Sequence, residues 1–164
     1  MKKVLYMGLT ANGCYAVADE SHSESSLPKE VLDNFTQQVR RVGNLIIGRR
    51  TYDLFPTMIP GVHLVIVSRS RPNYDGASVV ASPTEALSLL EKKGYDTALV
   101  GGGATLVNTV LSQGLVDEIY INIYPFVSNG RTFAISEKLE SSLELLSVDK
   151  LSANIVQLHY KVRR

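Results

Sequence analysis

"LVGGGATLVNTVL", residues 99–111, decides how the chain is read. Leu99 and Val100 close an apolar strand, and Ala104–Leu111 carries apolar residues 106, 107, 110 and 111 at helical spacing. Gly101, Gly102 and Gly103 lie between them. Glycine costs backbone entropy wherever it is not needed, so this turn excludes side chains for a reason. Free N–H groups and the dipole at a helix N-terminus attract a phosphate, and glycines let the backbone approach it. The plain alternative is a tight turn that packs strand against helix. The stretch is not a Rossmann fingerprint, because Leu106 stands at the last glycine position and no acid follows about 20 residues on. It is not a P-loop, since no Gly-Lys-Ser/Thr follows.

Two further strand ends carry related chemistry. In "LIIGRRTYDLF", residues 45–55, a strand stops at Gly48 and a helical turn starts with Arg49, Arg50 and Thr51. In "VIVSRSRP", residues 65–72, a strand again stops at hydroxyls and arginines. Arginine grips phosphate with paired hydrogen bonds. Open α/β sheets bind ligands at the carboxyl ends of their strands. Three such ends suggest a ligand with separated phosphate groups, such as a dinucleotide.

The remaining pattern supplies the sheet. Val4–Leu9 predicts a first strand, and polar residues 10–26 a long loop with an Asn12-Gly13 turn. A helix opens at Pro28 and buries Val31, Leu32, Phe35, Val39 and Val42, with Glu30, Asn34, Gln38 and Arg41 on a neighbouring polar stripe, and Gly43 ends it. Strands follow over 44–47, 63–67, 79–81, 96–100 and 118–123, with helical segments at 50–55, 83–92 and 104–111. A terminal hairpin pairs 143–150 with 154–162. Helices alternating with strands predict an α/β domain whose largely parallel sheet acquires antiparallel edge strands.

The totals narrow the class. The chain has 164 residues, 45% hydrophobic and 20% charged, with formal net charge +1. That length suits one domain over 1–164, and the charge gives no bulk case for nucleic acid or an anionic membrane. No apolar run approaches the roughly 20 residues that span a bilayer. Cys14, the only cysteine, excludes an intrachain disulfide and a cysteine metal knuckle and fits a reducing cytoplasm. It reads as a small apolar filler or as a thiol beside the ligand. His22, His63 and His159 have no metal-ligand spacing, so no metal is expected.

The order of these blocks resembles the dihydrofolate-reductase-like superfamily, and within it the reductase domain of the riboflavin-biosynthesis deaminase/reductase family. "GRRTYDLF", "VSRS", "VGGGATLVNTVL" and "GLVDEIYINIYPFVSNGRTF" carry the resemblance over nearly the whole chain. It implies a three-layer α/β fold, with a central mixed, mostly parallel sheet flanked by helices and a C-terminal antiparallel hairpin. It also implies an NADPH-dependent reductase of a pyrimidine- or pterin-like heterocycle, and a homodimer. Gly48, Arg49 and Thr51 would meet the cofactor phosphates, and Ser68 and Arg69 its 2′-phosphate. Gly101, Gly102, Gly103, Ala104 and Thr105 would lie along the pyrophosphate. "SLPKEVLDNF" resembles the family helix that carries a carboxylate two residues after the proline, which makes Glu30 the candidate proton donor and Asp33 the alternative. Asn12, Cys14 and Tyr124 are the candidate substrate contacts. The chain departs from the pattern in having no Trp, in Asn34, and in a first loop that reads Leu9-Thr10-Ala11-Asn12-Gly13-Cys14. Dihydrofolate reduction and a non-catalytic nucleotide-binding or scaffold role stand as the alternatives.

Overall fold

The computed structural model describes residues 1–15, 28–54, 59–70, 72–130, 132–133 and 141–163. Most of the long loop expected after β1, with His22, lies outside the described residues.

Eight strands form one sheet. They are β1 (Lys2–Thr10), β2 (Asn44–Gly48), β3 (His63–Val67), β4 (Ala77–Val80), β5 (Thr97–Val100), β6 (Glu118–Tyr124), β7 (Ser142–Lys150) and β8 (Val156–Arg163). Four helices connect them: α1 (Lys29–Val42), α2 (Arg49–Leu54), α3 (Pro83–Lys92) and α4 (Ala104–Ser112). The strand order is β4-β3-β2-β5-β1-β6-β8-β7. The first six pair in parallel, and β8 runs antiparallel between β6 and β7. This is the mixed, mostly parallel three-layer arrangement expected from the sequence.

Both faces of the parallel region are dry, as βαβ connections demand. On one face Leu5, Ile46, Val65, Ala98 and Val100 meet Leu87 and Leu90 of α3 and Leu106, Val107 and Val110 of α4. On the other, Val4, Tyr6, Leu45, Ile47, Leu64, Ile66 and Leu99 meet Val39 of α1. Each helix is set by local chemistry. Ser82 caps α3 by accepting the Glu85 N–H at 3.2 Å, and Gly43 closes α1 at φ 76°, a conformation glycine adopts without strain.

Most boundaries move by one to three residues, and two differences have a physical reason. β1 starts at Lys2 because its charges are met by the neighbouring strand: Lys2 Nζ lies 3.0 Å from Glu118 Oε1, and Lys3 Nζ 3.5 Å from Asp117 Oδ2. The polar stripe of α1 does not face away from the sheet along its length. Asn34 turns inward to meet polar groups on β1 and β8.

Candidate functional site

The carboxyl ends of β2, β3 and β5 converge around the three glycines. Gly101 N–H bonds Ile46 O at 2.9 Å and Gly48 N–H bonds Gly102 O at 3.0 Å, so the turn is stitched to β2. Each glycine has its own cause. A Cβ at Gly101 would fall 2.7 Å from Leu45 Cδ1. Gly103 lies so close to α2 that a Cβ would meet Thr51 Oγ1 at 2.6 Å. Gly102 has φ +112° with nothing within 4 Å of a would-be Cβ. Packing therefore explains Gly101 and Gly103, while the positive φ explains Gly102, which is itself buried but has open space where a Cβ would stand.

Thr51 Oγ1 accepts the Gly103 N–H at 3.0 Å and ties α2 to the start of α4. Ala104 and Thr105 open α4, with Thr105 exposed. Arg49 and Arg69 are exposed nearby. Arg49 reaches Asp53 at 3.9 Å and donates weakly to Ser70 Oγ at 3.5 Å. Ser68 is 7% exposed and shares a 3.0 Å hydroxyl contact with Ser70. Ser70 thus joins the set, a residue passed over although "VSRS" contains it. The arginines, hydroxyls, glycine turn and α4 N-terminus lie on one edge of the sheet and fit a phosphate-bearing ligand.

The ends of β1 and β6 are built differently. Asn12 spends its side chain clasping two loops: Oδ1 accepts from Thr10 Oγ1 at 2.8 Å and Ser128 N at 3.0 Å, and Nδ2 donates to Ser128 O at 2.7 Å. Cys14 is 2% exposed and its thiol donates to Ser128 O at 3.2 Å. Both sit beside the site with their polar atoms engaged. Glu30 is exposed on the first turn of α1 and makes no hydrogen bond to a described residue. Asp33 is exposed and ion-paired with Lys29 one turn back. Val31, between them, packs on Tyr124, so the N-terminus of α1 stands over the end of β6.

Beneath that helix lies a buried polar group that sequence reading missed. The Tyr6 hydroxyl donates to Asn34 Oδ1 at 2.8 Å and accepts from Asn122 Nδ2 at 2.9 Å. Gln157 Nε2 donates to Asn122 Oδ1 at 2.8 Å and to Asn34 Oδ1 at 3.1 Å. Tyr6, Asn122 and Gln157 are 5%, 1% and 3% exposed. Burial is the main influence on the Tyr6 phenol and pushes its pKa up; the bonds from Asn122 and Gln157 pull the other way. Tyr124 is 4% exposed, and burial, reinforced by the nearby Tyr6, raises its phenol pKa well above the ordinary value. The one signal available was alternation in "EIYINIY", which puts Tyr120, Asn122 and Tyr124 on one face of β6.

Among the described residues, no group of three or more His, Cys, Asp or Glu could hold a metal, and no helix is long and apolar enough to cross a membrane. Glu118, His159 and Lys2 form a separate ion-paired cluster at the opposite ends of the strands. There the Lys2 and His159 hydrogen bonds outweigh the cost of burial and lower the Glu118 pKa, although burial is the largest single influence and acts against them.

A mostly parallel α/β sheet with phosphate-suited strand ends places the chain in the class of α/β proteins that take ligands at the carboxyl edge of the sheet. A family model for the RibD C-terminal domain matches residues 64–157, more than half of the chain. The chain belongs to this family of reductases. It is 26% identical to the uncharacterised protein YyaP of Bacillus subtilis (strain 168), over 77% of each chain. It is 37% identical to the 2,5-diamino-6-ribosylamino-4(3H)-pyrimidinone 5′-phosphate reductase of Archaeoglobus fulgidus, over 40% of this chain and 30% of that one. The fold matches a protein named for riboflavin biosynthesis from Shewanella sp. PV-4, with TM-score 0.79 and 17% identity over 100% of both chains. It also matches a pyrimidine reductase-like protein from Corynebacterium diphtheriae, with TM-score 0.79 and 14% identity over 99% of this chain and 92% of that one.

Proposed function

We propose that this chain is one NADPH-dependent reductase domain acting in the cytoplasm on a small polar heterocycle of the pyrimidine type. The observation that carries the reading is the glycine turn into the α4 N-terminus, with open space beside the Gly102 Cα, flanked by exposed Arg49 and Arg69 and the Ser68–Ser70 hydroxyls. Gly48, Arg49 and Thr51 with Gly101–Thr105 hold the phosphates, and Arg69 with Ser68 favours a 2′-phosphate and hence NADPH over NADH. The cofactor, when bound, supplies a hydride. The chain's own tasks are to orient the substrate and deliver a proton. Glu30 is the acid of the α1 first turn and has no ion pair within 4 Å to a described residue, and its place above β6 suits a proton donor. Asp33, bound to Lys29, suits it less.

Asn34, held among the amides of β6 and β8, favours a small pyrimidine over a folate-sized substrate. The exposure of Glu30 supports a second reading, a nucleotide-binding protein without turnover. A homodimer fits the apolar face of the sheet edge. Leu143, Leu145 and Val148 of β7 pair with Val162, Tyr160 and Leu158 of β8, and Leu145 and Val148 are 52% and 57% exposed.

Titration of the purified protein with NADPH and NADH, followed by nicotinamide fluorescence, tests the reading. NADPH-selective binding that weakens about tenfold in Arg69→Ala, roughly 1.4 kcal/mol, supports it. Absence of binding by either nucleotide overturns it.

A further inference from the structure

Tyr124 occupies an unusual place. It ends β6 opposite Thr10, yet its ring leans back diagonally onto Gly8, a reach that long aromatic side chains have across neighbouring strands. A Cβ at position 8 would overlap Tyr124 Cε2 and lie 3.1 Å from its hydroxyl oxygen. Only glycine lets the ring come this close to the β1 backbone. The ring rests otherwise on Val31 and Ile155, a small cluster separate from the two main cores. Its hydroxyl makes no hydrogen bond to a described residue. No fully sealed side-chain polar atom among the described residues lacks a partner, so that oxygen keeps a narrow contact with solvent.

The surroundings of this ring are not apolar. Asn122 stands directly opposite Gly8 in the β1–β6 register, and Gln157 opposite Asn122 in the β6–β8 register. The carbonyl oxygen of Gln157 and the amide nitrogen of Asn34 take no part in the network that joins them to Tyr6. A spare acceptor and a spare donor beside a flat glycine floor match the alternating ring donors and acceptors of a pyrimidinone. An aliphatic or highly charged ligand would find no such complement.

We infer that Tyr124 is a plug built into the chain: its ring holds the seat on Gly8 that a planar, amide-like heterocycle takes when the ring leaves. The identity of that heterocycle rests on the reductase reading; the displacement of the ring does not. The ring covers part of the half-buried Gly8 backbone until a ring of similar shape replaces it. Its departure disturbs the contacts with Val31, Ile155 and Phe126 and leaves both main cores in place.

The test uses the full chain and 5,6-diaminouracil as the probe. Calorimetry on the parent, Tyr124→Ala and Tyr124→Leu measures probe affinity, Leu keeping the contact with Val31 and Ile155 without reaching Gly8. Both variants bind the probe about tenfold more tightly than the parent if the ring competes for the seat. In protein labelled with 13Cζ-tyrosine, the Tyr124 resonance, assigned by its loss in Tyr124→Phe, shifts at saturating probe. It shifts without probe in Gly8→Ala, where the methyl group expels the ring. Equal or weaker binding by both variants, no binding by any of the proteins, or an unmoved Tyr124 resonance at saturation overturns the plug. NADPH titration of the same samples separates the two ideas. Retained NADPH binding with an unmoved ring overturns the plug alone, and a displaced ring without NADPH binding overturns the reductase reading alone.

Discussion

The two halves of the strand-end edge solve opposite problems. At β2, β3 and β5 the arginines, Ser70 and Thr105 are exposed while Ser68 is buried, and no side chain fills the space beside Gly102. At β1, β6 and β8 the polar groups are sealed under α1 and bonded to one another. The first half is open to a charged ligand and gains little stability from its own side chains. The second is part of the fold, and its polar groups each cost stability if left without a partner. Binding and stability should therefore separate along this edge.

Four substitutions sharpen or break that contrast. The largest effect is expected at the boundary between the halves. Glu30→Gln should lower reductase turnover by roughly 100- to 10,000-fold, the usual worth of a positioned general acid, with NADPH affinity unchanged; steady-state rates beside a fluorescence titration check both. Turnover that survives would move the proton donor elsewhere. Next comes Asn122→Leu, which removes one buried partner each from Gln157 Nε2 and the Tyr6 hydroxyl and leaves both to Asn34 and to each other. A loss of about 1–3 kcal/mol in urea unfolding is expected, from roughly 0.5–1.5 kcal/mol per lost hydrogen bond, with NADPH still bound by the folded fraction. Gly102→Ala should cost about 1–3 kcal/mol for a side chain at φ +112° and weaken NADPH as well, so it breaks the separation by touching both properties. The smallest effect concerns pH. Burial, aided by Lys93, lowers the His63 pKa, and its Nε2 lies 2.9 Å from Ser78 Oγ. The unfolded chain then binds more protons than the folded one as pH falls through about 6.5. Stability should decline slightly from pH 7 to 5.5, and thermal melts of His63→Gln should show a flatter dependence.

Much of the open half was legible in the sequence because its signals are local. Three consecutive glycines, an arginine pair after Gly48 and a hydroxyl–arginine run after Val67 each announce a strand end within a few residues. The strands and helices were legible for the same reason, since Leu106, Val107 and Val110 or Val31, Phe35 and Val39 declare their faces within a turn or two. The sealed half was not. Tyr6, Asn34, Asn122 and Gln157 are spread over the chain, and each alone reads as an ordinary surface polar residue. Their meeting depends on β8 inserting between β6 and β7, a pairing no short window contains. Asn12 has a task its turn position does not announce: its side chain clasps two loops. The reason for Gly8 was equally hidden, because the side chain that needs its absence lies 116 residues further on.

The β7 edge carries one further consequence. Leu143, Leu145, Leu146 and Val148 are all exposed, and the register slips between Leu145 and Ser147. A bulge bends a strand away from simple edge pairing, which discourages open-ended fibres while leaving the apolar face available. If two copies close that face, folding becomes linked to assembly by mass action. The melting temperature would then rise with protein concentration, and a dilute preparation would be intrinsically less durable than a concentrated one of the same purity.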